Sequence, residues 1–81
     1  MKYAEDLAIA LLKVVYGRHA AGCCLHCVTD DGNLEDAFIE HALESAKKEW
    51  HFDCYAAAAA MKTLDAFTRE IVYVSYRQYA S

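Results

Sequence analysis

Apolar residues recur at helical spacing along most of the chain, beginning with its first segment. That segment predicts a helix from about Lys2 to Tyr16, because its apolar positions follow one another at three or four residues. These positions are Leu7, Ala8, Leu11, Leu12 and Val15. Ile9 and Val14 add apolar area outside this row, so we expect the helix to be buried on more than one side.

A second helix is predicted after the acidic, glycine-containing turn at residues 30–33. Asn33 is a favourable N-cap, and the helical pattern runs from Leu34 to about Glu49. The positions expected to face the core are Ala37, Phe38 and Leu43. The pattern does not decide whether His41 faces the core as well. The positions expected to face solvent are Asp36, Glu40, Glu44 and Lys47.

Two further helices are predicted in the last third of the chain. Asp53 can cap a helix that continues through the alanine run Ala56–Ala60 to Met61, since alanine has the highest helix propensity. Thr63 or Asp65 then precedes a last helix, from about Ala66 to Tyr79. Its expected core line is Phe67, Ile71 and Val74, and its expected exposed positions are Arg69, Tyr73, Tyr76, Arg77 and Tyr79.

Together these elements predict an all-α fold, a small bundle of four to five helices that forms one domain over residues 1–81. The fifth helix would come from the cysteine-rich stretch that ends at Val28. Of the 81 residues 57% are apolar and none is proline. A domain of this size cannot easily bury so many apolar side chains, so we predict a homodimer, with a larger partner as the alternative.

The charges are concentrated in the middle of the chain. Residues 29–54 hold eight acidic and two basic residues, a net charge of −6, whereas the segment on either side carries +1. Such a block argues against direct binding of nucleic acid and favours a protein partner with a basic surface, including one that itself binds nucleic acid. The residues expected to bind this partner are Asp30, Asp31, Glu35, Asp36, Glu40, Glu44, Tyr73, Tyr76 and Arg77. The simpler interpretations are an ordinary solvated acidic face and tyrosines packed inward.

The stretch from His19 to Cys27 contains three of the four cysteines and two of the four histidines. We expect no cofactor and interpret the cysteines as small buried residues of the core. The alternative is a structural zinc site, because helical spacing could bring together the tetrahedral ligand set of Cys23, Cys27, His51 and Cys54.

Catalysis is a weaker interpretation of the same stretch. His19 lies four residues before Cys23 and could activate its thiol, but no recognisable motif supplies an orienting group or an oxyanion hole. The protein is therefore predicted not to be an enzyme. A ligand pocket lined by His26, His41 and tyrosines is a further alternative that the sequence does not decide.

The N-terminal segment lacks the features of an export signal or a membrane span. Glu5 and Asp6 stand where a signal peptide has a basic start, and the apolar stretch Leu7–Leu12 is too short to cross a bilayer. We therefore predict a cytoplasmic location with reduced thiols and no membrane association.

The run Leu25-His26-x-Val28-x-Asp30-Asp31-Gly32-Asn33, within residues 14–70, resembles small helical proteins of bacteriophages and prophages. The resemblance carries no activity and no catalytic residue to this chain. It implies the cytoplasm of a bacterial host. By analogy with small acidic phage proteins, it also implies inhibition of host machinery, including anti-CRISPR or other anti-defence activity.

Overall fold

A computed structural model describes the backbone of residues 2–18 and 34–80, and the side chains of residues 3–15 and 34–78. This part of the chain forms four α-helices and no strand. They are α1 (Lys2–Arg18), α2 (Asp36–Lys48), α3 (Phe52–Lys62) and α4 (Ala66–Ala80). The predicted all-α bundle is confirmed. The radius of gyration, 11.0 Å, is close to the roughly 12 Å expected of a compact chain of this length.

The alanine-rich helix α3 lies at the centre of the bundle. It packs against α2 and α1, and α1 also packs against α4. Its buried residues are Cys54, Ala57, Ala58, Ala60 and Met61. Because most of these side chains are small, neighbouring helices can approach α3 closely. The surrounding helices complete the core with larger side chains such as Leu12, Ile39 and Val72.

Asp65, one of the two residues that the sequence offered at the start of the last helix, forms the N-cap of α4. Its Oδ1 accepts a hydrogen bond of 2.7 Å from the backbone N–H of Thr68, which has no partner within the first helical turn. The hydrogen bonds from Thr68 lower the pKa of Asp65, since they stabilise the ionised carboxylate.

The starts of the two preceding helices differ from the prediction. The N-cap of α2 is Glu35, whose extended backbone (φ −69°, ψ 155°) carries no side-chain capping bond. Asn33, the predicted cap, lies outside the described residues. The N-cap of α3 is His51, so Asp53 lies within the first turn of this helix instead of capping it.

The buried face of α1 largely follows the predicted row. Ala8, Leu12 and Val15 are buried, Leu11 is half-buried, and Leu7 is exposed. Ile9 also packs partly against the core. Val14, the other apolar residue outside the predicted row, is 41% exposed, so the prediction that the helix is buried on more than one side is wrong for Val14.

The predicted buried face of α2 is wrong, because the observed buried side is rotated about the helix axis by roughly one residue. Its buried residues are Ile39, Ala42 and Ala46, which follow each other at helical spacing. Phe38 is 42% exposed, Ala37 is exposed, and Leu43 is half-buried. Because Ala42 and Ala46 are small, α2 can lie close to the alanines of α3. The bulk of Phe38 on this face would prevent so close an approach.

The predicted core line of α4 is also wrong. Phe67, Ile71 and Val74 are exposed, whereas the buried positions are Arg69, Val72 and Tyr76. Both sets have helical spacing, so periodicity could not distinguish them. In the observed rotation of the helix, Arg69 faces the interior and donates buried hydrogen bonds to the carbonyl oxygens of Met61 and Leu34.

Candidate protein-interaction surface

Helix α2 presents its acidic residues to solvent, as the sequence predicts. Asp36, Glu40 and Glu44 follow one another at four-residue spacing and are all exposed, as is Lys47. Glu35, at the N-cap, is exposed as well. Asp30 and Asp31, the other acids expected to bind a partner, lie outside the described residues.

The carboxylate of Asp36 is paired with a cation of the protein itself. Arg69 Nη2 lies 2.6 Å from Asp36 Oδ1, although the arginine side chain is 5% exposed and that of the aspartate 73%. The pKa of Asp36 is lowered, first by the hydrogen bond from Arg69 and then by the charge of its guanidinium. Asp36 thus provides the outer end of a largely buried arginine interaction.

Arg69 connects three parts of the bundle. Its Nε donates a hydrogen bond of 3.0 Å to the carbonyl oxygen of Met61, near the end of α3. Its Nη1 donates one of 2.8 Å to the carbonyl oxygen of Leu34, just before α2. The arginine therefore satisfies two backbone carbonyls and one carboxylate, which explains why a charged residue belongs to the interior of this small fold.

Glu40 forms an ion pair with Lys62, which joins α2 to the end of α3. Two acids of the predicted binding stripe are therefore partly neutralised within the protein. In the described part of the chain, Glu35 and Glu44 have no such pair. The negative charge that α2 can offer to another molecule is concentrated at these two side chains.

The fold does not place the predicted binding residues of α4, Tyr73, Tyr76 and Arg77, together on one exposed surface. Tyr76 is 1% exposed and belongs to the core, so its assignment to an exposed binding face is wrong. Tyr73 is half-buried and packs against the core, and Arg77 is exposed. A shallow surface depression is lined by Tyr73, Val74, Arg77 and Gln78.

An exposed aromatic pair that sequence reasoning missed lies at the junction between α2 and α3. Trp50 is 75% exposed and Phe52 is 71% exposed. Their rings meet edge to face, with centroids 6.0 Å apart and planes at 87°. This arrangement is favourable for aromatic rings, and tryptophan is enriched among the residues that dominate protein interfaces.

Trp50 has a left-handed backbone conformation, with φ of 60°. It lies at the C-terminal end of α2, where the N–H of His51 bonds the carbonyl of Ala46 and the N–H of Trp50 bonds that of Lys47. These two bonds form a Schellman motif, in which glycine usually takes the left-handed position. A bulky side chain there costs roughly 1–2 kcal/mol, so the exposed indole is retained at an energetic cost.

The hypothesis of a ligand pocket lined by His26, His41 and tyrosines can be examined only in part. His41 is exposed and lines a shallow depression with Glu44, Ser45, Lys47 and Lys48. Among the described residues, no tyrosine lines this depression. His26 lies outside the described residues.

The predicted zinc ligands can be placed only in part. Cys54 is fully buried in the core on α3, and His51 is partly buried, with Nδ1 3.5 Å from Glu49 Oε2. Cys23 and Cys27, together with His19, lie outside the described residues. Among the described residues no three histidine, cysteine or acidic side chains are grouped so that they could hold a metal ion. The four-ligand zinc site stays a prediction.

Comparisons with family models, curated proteins and solved structures find no match to this chain. The resemblance to phage proteins therefore stays a prediction. No helix in the described part of the chain has the length and apolar character needed to cross a membrane.

Proposed function

We propose that the protein acts by binding another protein, through a surface formed by the acidic side of α2 and the aromatic pair Trp50–Phe52. The observation that carries this proposal is the left-handed, solvent-exposed Trp50. Its conformation opposes folding, and its side chain adds little to the core. A strained residue that presents a large aromatic ring to solvent is typical of a binding site.

The chemistry of the surface favours a partner rich in arginine and lysine. The aromatic pair belongs to the block of residues 29–54 that carries a net charge of −6. Glu35 and Glu44 add carboxylates that are not paired with another described residue. Basic side chains of a partner could pair with these carboxylates and stack on the two rings, since a guanidinium or ammonium group is attracted to an aromatic face.

The proposed biological role is inhibition of host machinery in the cytoplasm of a bacterial host, with anti-CRISPR or other anti-defence activity as the specific form. A basic protein surface that handles nucleic acid fits the charge of α2. The resemblance to phage proteins supports the bacterial setting. The zinc-stabilised structural or regulatory module stays the alternative proposal.

The backbone strain at Trp50 can be tested by replacing it with glycine and with alanine. Both variants lose the indole and its contact with Phe52, so the difference between them reports on the backbone. Glycine is normally less stable than alanine, but at φ of 60° we expect Trp50→Gly to be more stable than Trp50→Ala by about 1 kcal/mol. Urea unfolding of the two variants measures the difference, and a more stable alanine variant would contradict the left-handed conformation.

The binding surface can be tested by affinity capture from a bacterial lysate with quantitative mass spectrometry. We expect Trp50→Ala and Glu44→Lys each to lose a captured protein that the wild type retains. Once that protein is purified, Trp50→Ala should weaken binding by about 30-fold and Glu44→Lys by about tenfold. Glu44 is preferable to Asp36 and Glu40 because its reversal breaks no ion pair among the described residues.

Two variants on α1 provide matched controls for this experiment. Tyr3→Ala removes an aromatic ring that is 74% exposed, and Asp6→Lys reverses an exposed acid outside the −6 block. Both should retain the captured protein. If all four variants capture the same proteins with the same affinity, the proposed surface is wrong.

The inhibitory role is tested in a bacterial strain with an active CRISPR–Cas system. Expression of the wild type should raise the plating efficiency of a targeted phage, and Trp50→Ala should remove this effect while Tyr3→Ala keeps it. Plating that is unchanged by the wild type, across strains that carry different defence systems, would contradict anti-defence activity. It would leave the binding surface to be judged by the capture experiment.

A further inference from the structure

Helix α4 exposes a row of large apolar side chains on the side opposite its buried residues. Phe67 is 76% exposed, Ile71 43% and Val74 52%. Their spacing of four and three residues places them on one side of the helix. The row extends over two turns of α4.

Two opposite charges lie along one edge of this apolar row. Glu70 and Arg77 are both exposed and are seven residues apart. Seven residues correspond to about two helical turns, roughly 10 Å along the axis, so both side chains project from the same edge. Val74 lies near the midpoint between them.

This pattern is self-complementary under a two-fold axis perpendicular to the helix. Such an axis reverses the direction of the second helix but keeps equivalent edges together. Glu70 of one copy then lies opposite Arg77 of the other, and the reverse pair forms at the same time. A parallel pairing would instead place equivalent edges on opposite sides of the contact, so neither ion pair would form.

We propose that α4 is a homodimer interface, in which this helix packs antiparallel against α4 of a second copy. Val74 packs near the two-fold axis, the apolar row is covered, and two Glu70–Arg77 ion pairs close one edge. An isologous interface requires one surface to complement itself, and a row edged by one acid and one base at matched spacing meets that requirement. The proposal does not depend on the acidic and aromatic surface described above.

Sedimentation velocity over a range of protein concentrations tests the apolar part of this interface. The wild type should have twice the chain mass of 9.1 kDa. We expect Val74→Glu to be monomeric, because the two introduced carboxylates would face each other near the axis. Phe38→Glu, a change on the exposed side of α2, should stay dimeric. A monomeric wild type, or a Val74→Glu variant that is still dimeric, would overturn the proposal.

The predicted register is tested by exchanging the two charges. Glu70→Arg and Arg77→Glu should each raise the dimer dissociation constant by about tenfold, since each places like charges together at both ends of the contact. The double variant should recover the wild-type constant, because it restores both pairs with reversed sign. Failure of the double variant to recover, with circular dichroism showing a folded chain, would overturn the antiparallel pairing.

Discussion

Replacing Arg69 with alanine is expected to lower the free energy of unfolding by about 3–5 kcal/mol, because each of the two carbonyl oxygens that loses its donor costs roughly 1–3 kcal/mol and the missing side chain leaves a cavity. The side chain is 4% exposed and donates to the carbonyls of Met61 and Leu34 as well as to Asp36. Its loss would leave two backbone acceptors without this donor in a poorly hydrated site. Since domains are stable by only about 5–15 kcal/mol, much of the variant could be unfolded at 37 °C.

Three comparisons separate the role of the three-way hydrogen bonding of Arg69 from that of its charge. Arg69→Lys keeps the charge but cannot donate in three directions, so its stability should lie between those of the wild type and Arg69→Ala. Asp36→Ala removes only the outer partner and should be milder than Arg69→Ala. Lys48→Ala, which truncates an exposed basic side chain on α2, should change stability by no more than about 0.5 kcal/mol. Urea unfolding monitored by circular dichroism measures all four, and equal losses for Arg69→Ala and Lys48→Ala would contradict the buried hydrogen bonds of Arg69.

The second large effect is expected at Tyr76, where truncation to alanine should cost about 3–5 kcal/mol. Tyr76 is the largest of the fully buried side chains in the described part of the chain, and it packs in the same core as Leu12 and Val72. Removal of the ring would leave a cavity that the helices around it can fill only partly. Thermal and urea unfolding both measure this loss.

A pair of valines on the same helix tests the orientation of α4 without changing residue type. Val72 is fully buried and Val74 is half-exposed. Val72→Ala should therefore cost about 2 kcal/mol and Val74→Ala only a few tenths. The comparison is made at protein concentrations low enough to exclude a contribution from dimer formation. The opposite order would restore the core line Phe67, Ile71 and Val74 that periodicity suggested.

Much of the local structure could be predicted from the sequence. The helix bounds agree to within a few residues, because apolar periodicity, the alanine run and the Asp65 cap are local signals. The exposure of Asp36, Glu40 and Glu44 was also predictable, since charged side chains at helical spacing stay in water. In contrast, Trp50 gave no local signal, because the left-handed end of a helix is usually marked by glycine.

What the sequence by itself determined is therefore the class of fold, the positions of the four described helices and the acidic character of the middle segment. Only the tertiary structure decided which side of α2 and α4 is buried, because each helix has two apolar rows with acceptable spacing. It also decided that Asp36 is paired with Arg69, 33 residues away, and Glu40 with Lys62. These choices depend on contacts between distant segments, where close packing on α3 and the hydrogen bonds of one buried arginine outweigh the hydrophobicity of Phe38 and Phe67.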